Sequence, residues 1–168
     1  MARNDPVTES DARYGEEGVA ATLWSEGRAR LEAAELYWLS TVRPDGRLHA
    51  TPLIGVWNGD SLYFCTGPHE QKAKNLAHDP HCLLTTGSNA LKEGFDLVVE
   101  GEAVKVSDEA QLQRIADAYE AKYGSDWHFD VGDGAFHHDA GVAWVFEVAP
   151  STVYGFGKGP YSHTRWRF

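Results

Sequence analysis

The sequence is poor in several features, and each scarcity excludes a class of protein. No apolar run approaches the ~20 residues that a helix needs to span a bilayer. The opening MARNDPVTES has no apolar core of the kind a secretory leader requires. A cytoplasmic protein is therefore expected, with no membrane partner. Basic residues are outnumbered, 15 Lys and Arg against 25 Asp and Glu, for a formal net charge of −10, and they form no stripe. A chain of that sign repels phosphate backbones and anionic lipid, so nucleic acid is not an expected partner either. Cysteine is scarce: Cys65 and Cys82 sit in apolar, strand-like runs and are expected to be reduced, buried and structural. No Gly-x-Gly-x-x-Gly follows a strand pattern, which removes a nicotinamide-binding Rossmann unit. Neither Ser40 nor Ser88 stands in a nucleophile-elbow sequence, which removes a hydrolase triad. Internal repeats and domain linkers are also missing. The 168 residues suit one domain, residues 21–168, preceded by a polar, acidic stretch, residues 1–20, expected to be a mobile tail.

What is present is an ordinary globular composition, 42% hydrophobic and 24% charged, with a high load of six Trp, seven Tyr and seven Phe. Such a load suits a flat-ligand site or a large interface as well as a core. The stretch from Tyr37 to Leu76 carries the clearest local signals. Arg43-Pro44-Asp45-Gly46 is a turn, because Pro presets φ, Asp bonds its own backbone and Gly takes the left-handed position. Asn58-Gly59 between alternating apolar runs marks a hairpin. Strands near 37–43, 47–57 and 61–66 are thus expected to form an antiparallel meander, which enters a short helix near 69–77 through Gly67-Pro68.

Elsewhere, Trp24 to Glu35 reads as a helix with Ser25 as a candidate cap, and its thin apolar face suits a barrel mouth. His81 to Thr86 and Phe95 to Val106 read as strands, with Gly101 marking a bulge or bend in the second. Ser107 is placed to cap a helix on which Leu112, Ile115, Ala116, Tyr119 and Tyr123 follow helical spacing, and Gly124 ends it. Residues 125–140 read as an irregular excursion, followed by strands at Gly141–Val148 and Thr152–Phe156. A tally of about seven strands and three helices favours a mainly β fold, a small closed barrel with flanking helices.

The strand-to-helix corner near residues 66–75 carries the most suggestive chemistry. A helix N-terminus offers unpaired N–H groups and partial positive charge. Thr66, Gln71 and Lys72 add a hydroxyl, an amide and an ammonium, a set able to hold a phosphate. The plainer alternative makes Gln71, Lys72 and Lys74 the wet face of a surface helix. Glu70 suits the dipole but would repel an anion if it pointed inward. His49 reads as a polar barrel residue rather than a proton donor. His128, His137 and His138 among Asp126, Asp130, Asp133 and Asp139 match no metal-ligand spacing and read as a solvated acidic loop, so no metal is expected. A C-terminus in which Trp166 and Phe168 alternate with Arg165 and Arg167 needs something to hold it: a planar anionic ligand, a partner subunit, or its own barrel.

The runs STVRPDGRLHATPLIGVW, LYFCTG, QKAKNL and VVEGEAVKV together resemble the flavin- and deazaflavin-binding split β-barrels, the pyridoxamine 5′-phosphate oxidase-like proteins, and within them the F-420-dependent branch. The likeness covers roughly residues 24–168. It implies an FMN-binding split-barrel fold, a homodimer, and a cofactor, FMN or deazaflavin F-420, in a groove between two barrels. By resemblance His49, Ala50, Thr51, Pro52 and Leu53 line the ring system. Thr66, Gly67, Gln71, Lys72 and Asn75 match the phosphate-side cluster, and Arg165 and Trp166, with Arg167, the tail that closes over the cofactor. Gln71 stands where the oxidase proper has Arg, and the oxidase's substrate-gripping C-terminal pattern is not recognisable. Both departures point away from vitamin B6 oxidation. The resemblance implies an oxidoreductase moving hydride to or from a small organic substrate, or a non-catalytic cofactor- or haem-binding protein of the same fold.

Overall fold

The computed structural model describes residues 5–11 and 13–168. Strand β1, Val7–Ser10, precedes helix α1, Trp24–Ala33, which leads into β2, Tyr37–Val42, and β3, Leu48–Leu53. Then come β4, Gly55–Asn58, β5, Ser61–Thr66, and helix α2, Gln71–His78. Strands β6, His81–Thr86, and β7, Gly94–Val106, precede helix α3, Glu109–Tyr123. A 3-10 turn at Ser125–Trp127 connects to the hairpin of β8, Asp130–Gly132, and β9, Ala135–His138, and the chain closes with β10, Gly141–Lys158, and β11, Ser162–Arg167.

Both hairpins form, with Gly46 and Gly59 at left-handed φ of +83° and +61°, but the second turn lies one residue on, at Gly59-Asp60, because Asn58 still pairs with Ser61. The expected single strand 47–57 breaks at Ile54, however. Strand β3 pairs with β2, whereas β4 pairs with β5. Hydrogen bonding follows the path β3-β2-β6-β7-β10-β5-β4. Its two ends are consecutive in the chain, so the sheet has to curl back on itself. The result is a mostly antiparallel split barrel.

Strand β10 is the spine. It is one strand of 18 residues, not the two separate strands read from the sequence. Pro150, which has no N–H to donate, is accommodated by a register shift between Pro150 and Thr152, so the strand bends there and continues. The bulge that Gly101 signalled therefore lies in the partner strand. Gly101 itself faces Pro150, where an added Cβ would sit 2.7 Å from the Ala149 carbonyl oxygen.

The barrel core holds Leu31, Tyr37, Leu39, Phe64, Leu84, Val99, Val148 and Trp166. A second core lies under α3, where Leu112, Ile115, Ala116 and Tyr119 meet Val56, Phe129, Phe136 and Val145. Two caps differ from expectation. Helix α1 starts at Trp24, ahead of Ser25, and Leu23 caps it without a side-chain bond. Packing of the Trp24 ring against Trp57, Trp166 and Phe168 sets that start. Helix α3 is capped not by Ser107 but by Asp108, whose carboxylate accepts from the Gln111 N–H at 2.8 Å. Part of the expected N-terminal tail is also ordered. Strand β1 pairs with β11, and Glu9 accepts from Arg165 at 2.7 Å and Arg167 at 2.6 Å. Residues 1–4 and 12 of that tail lie outside the described residues.

Candidate functional site at the strand-to-helix corner

Strand β5 ends on buried Thr66, and Gly67-Pro68-His69 turns the chain into α2, with Glu70 at the helix N-cap. Helix α2 is short and strongly two-faced, and the face it turns inward carries Lys72, Ala73, Asn75 and Leu76. Lys72 is therefore not on a wet surface; its side chain is only 11% exposed. Lys74 is the solvent-facing one, and Gln71 is half-buried. A buried ammonium demands an anion. Glu70 supplies it, through an ion pair between its Oε2 and Lys72 Nζ. The other oxygen, Oε1, accepts the Gly67 backbone N–H at 2.8 Å. Glu70 makes no capping bond to the first N–H groups of α2, because its side chain turns back toward β5. Burial raises the Glu70 carboxyl, but the bonds from Lys72 and Gly67 outweigh it and hold the group below its ordinary value. A main-chain N–H and a buried ammonium thus converge on one carboxylate. It borders an open cleft of about 660 Å³ lined by Gly67, Pro68, His69, Glu70, Ala140 and Val142.

Behind the corner, Asn75 is fully buried and ties α2 to the barrel: its amide donates to Thr41 Oγ1 at 2.9 Å and accepts from Gln71 Nε2 at 2.7 Å. Thr41 pairs across the sheet with His49, whose Nδ1 is buried without a hydrogen-bond partner. Burial, then the positive fields of Arg43 and Lys72, pull the His49 imidazole below its ordinary value, so it is neutral at physiological pH. Thr66, Gly67, Gln71, Lys72, Asn75 and His49 are thus brought into one neighbourhood, to which the structure adds Thr41 and Glu70. Alternation along β2 signals Thr41 only once its pairing with His49 is known. Glu70 was visible as an acid in the first turn, but its direction was not.

The other expected site residues divide. Register on β2 puts Ala50 and Pro52 on the outer face of β3, opposite to His49, Thr51 and Leu53. Leu53 packs against the barrel core and leaves only its backbone for a ring. Trp166 is fully buried, packed on Trp24 and against Gly27, with its indole N–H donated to the Thr22 carbonyl at 3.2 Å. Its side chain is a core element of its own barrel and is withdrawn from any cofactor. Arg165 lies on the β1–β11 edge, paired with Glu9. Cys65 and Cys82 are held protonated by burial, which pushes them up to about 11 and about 12. Residues 125–140 are ordered as the β8–β9 hairpin. Among the described residues no group of three or more His, Cys, Asp or Glu side chains is placed to hold a metal.

The sequence signature described as pyridoxamine 5′-phosphate oxidase matches residues 23–157, most of the chain. The protein belongs to that family. None of the curated proteins matches it in sequence. Solved structures share the fold at low identity. A haem-binding protein from Mycobacterium smegmatis superposes with a TM-score of 0.66 at 16% identity, over 83% of this chain and 55% of that one. The chain thus spans about half the length of that relative. A FAD-binding protein from M. smegmatis gives 0.57 at 17% identity, over 88% and 97%. An F-420 reductase gives 0.54 at 22% identity, over 75% and 94%. At these identities the likeness shows the split-barrel fold that unites a flavin-, F-420- and haem-binding set of proteins, and nothing finer. Among the described residues no helix is long and apolar enough to cross a membrane.

Proposed function

We propose that the corner between β5 and α2 holds the phosphate of a tricyclic redox cofactor, FMN or deazaflavin F-420, and that the protein is an oxidoreductase acting on a small organic substrate. The observation that carries this reading is the convergence of the Gly67 N–H and the buried Lys72 ammonium on a single anionic group. The donor set fits a phosphate: a main-chain N–H, an ammonium, and the first N–H groups of α2 that Glu70 leaves unused. On this reading His49 and Thr51, on the inner side of β3, serve as the shelf for the ring system. When bound, the cofactor supplies hydride chemistry, and the protein supplies orientation and exclusion of water. The family name does not carry oxidation of pyridoxamine phosphate to this chain, since Gln71 stands where the oxidase has Arg. A neighbour named as an F-420 reductase supports a deazaflavin, and one named as FAD-binding supports a flavin.

The groove is proposed to lie between two copies of the chain. The outer face of β2, β3, β6 and β7 supports this. It exposes Trp38 and, around a groove of about 690 Å³, Leu48, Leu83 and Val104. A second reading, a non-catalytic haem- or cofactor-binding protein, draws on the unpartnered imidazole nitrogen of His49 and on the haem-binding neighbour. Titration of apo protein with FMN and F-420, comparing wild type with Lys72→Glu, tests the first reading. At least a tenfold loss of affinity in the variant is expected, and equal affinities would remove Lys72 from the site. Steady reoxidation of the reduced cofactor by enones or quinones separates the enzyme from the binding protein.

A further inference from the structure

We propose that Glu70 is a built-in stand-in for the cofactor phosphate, an internal anion that must leave the corner before the phosphate can enter. The inference rests on the reading of this corner as a phosphate seat.

The two members of the ion pair have unequal surroundings. The Lys72 side chain is 11% exposed, whereas that of Glu70 is 51% exposed. The ammonium is committed to the interior. The carboxylate lies on the cleft side and reaches water by rotating its own side chain. Both of its oxygens are in use, one on Lys72 and the other on the Gly67 N–H. The carboxylate also lies directly over the Gly67 backbone, close enough that a Cβ there would come within 3.1 Å of Oε1. It therefore fills the volume as well as the charge requirement of the seat. A phosphate and a carboxylate cannot share one ammonium and one N–H, because like charges at hydrogen-bond distance repel. Binding is thus an exchange: the phosphate takes the donors, and Glu70 swings into the cleft and is solvated. Without a ligand, Glu70 satisfies a lysine that would otherwise be a buried, unpaired charge. With a ligand, its displacement subtracts from phosphate affinity and leaves affinity for the ring system untouched.

The exchange makes Glu70 a specificity-determining residue, and comparison of FMN with riboflavin isolates it, since the two ligands differ by the phosphate alone. In Glu70→Gln the amide oxygen still accepts from Gly67, but the charge is gone. FMN is expected to bind at least tenfold more tightly than to wild type, with riboflavin affinity unchanged. In phosphate-free buffer the same variant is expected to melt lower than wild type, and inorganic phosphate is expected to raise its melting temperature more than that of wild type. Glu70→Asp keeps the charge but shortens the reach, and it serves as the second variant should Glu70→Gln fold poorly; it too is expected to favour FMN over riboflavin more than wild type does. If wild type discriminates FMN from riboflavin and neither variant increases that discrimination, the exchange is overturned while the cofactor site stands. If neither wild type nor variants distinguish FMN from riboflavin, and phosphate protects none of them, the phosphate seat falls and the exchange falls with it.

Discussion

Lys122 and Lys72 are both withdrawn from water, but each is satisfied differently. Lys72 meets a carboxylate. Lys122, on the inner side of α3, meets only dipoles and rings: its Nζ donates to the Gly55 carbonyl at 2.9 Å and to the Tyr37 hydroxyl at 3.3 Å, beside the Tyr37 and Tyr123 rings. Burial without a counter-charge at contact pulls its ammonium down to about 8 from an ordinary 10.5. Between those values the unfolded chain binds more protons than the folded one, so folding stability rises with pH. Cys65 and Cys82 oppose that rise as pH approaches and passes 9, where the unfolded chain ionises thiols that burial keeps protonated in the fold, but a Lys122 variant keeps both thiols, so their effect cancels in a comparison. Chemical denaturation from pH 8 to 9 is expected to show wild type gaining stability relative to Lys122→Met; parallel profiles would assign the gain to another group.

At the scale of elements, the long strand β10 and its neighbour β7 are where sequence reading and structure part most. A proline followed by Ser151 and Thr152 reads as an interruption, yet β10 continues because β7 brings Gly101 opposite the irregular stretch. With no Cβ there, the Ala149 carbonyl and Val148 side chain approach to 2.7 and 2.8 Å of where one would stand. A backbone carbonyl cannot rotate away as a side chain can. Gly101→Ala is therefore expected to cost about 1–3 kcal/mol, the range for forcing an extra methyl into a packed interior. Urea unfolding should report a lower midpoint with an unchanged slope, and an unchanged midpoint would mean that β10 absorbs the methyl by shifting. The same logic explains Trp166. Gly27 on α1 and Gly155 on β10 clear the volume that its ring fills. Nothing local to Thr164-Arg165-Trp166-Arg167 shows that two distant glycines were reserved for that indole.

At the scale of the molecule, one sheet face exposes large apolar side chains beside His81, Glu100 and Glu102. Leu48 is 77% exposed, Val104 60% and Trp38 52%, and register places Trp38 and Leu48 on the same outer side. Several large apolar side chains exposed on one face favour an interaction surface. The proposed homodimer would cover it. Sedimentation of wild type at micromolar concentration is expected to show a dimer and Leu48→Asp a monomer; a monomeric wild type would remove the second subunit from the site.

The sequence by itself determined the barrel and the place of its corner. Turn chemistry at Arg43–Gly46 and Asn58–Gly59, the apolar run of β6, alternation in β7, and helical spacing on α3 are all local signals. Their physics acts over a few residues and is legible without a fold. The members of the corner, Thr66, Gly67, Gln71 and Lys72, lie within seven consecutive positions and were legible for the same reason. Tertiary structure alone decided which way side chains faced. It turned Trp166 into the core and Ala50 and Pro52 outward, made one strand of two at Pro150, and aimed Glu70 back at Gly67. Each of those outcomes depends on what stands opposite across a sheet or under a ring, and contacts between residues distant in sequence leave no periodic trace along the chain.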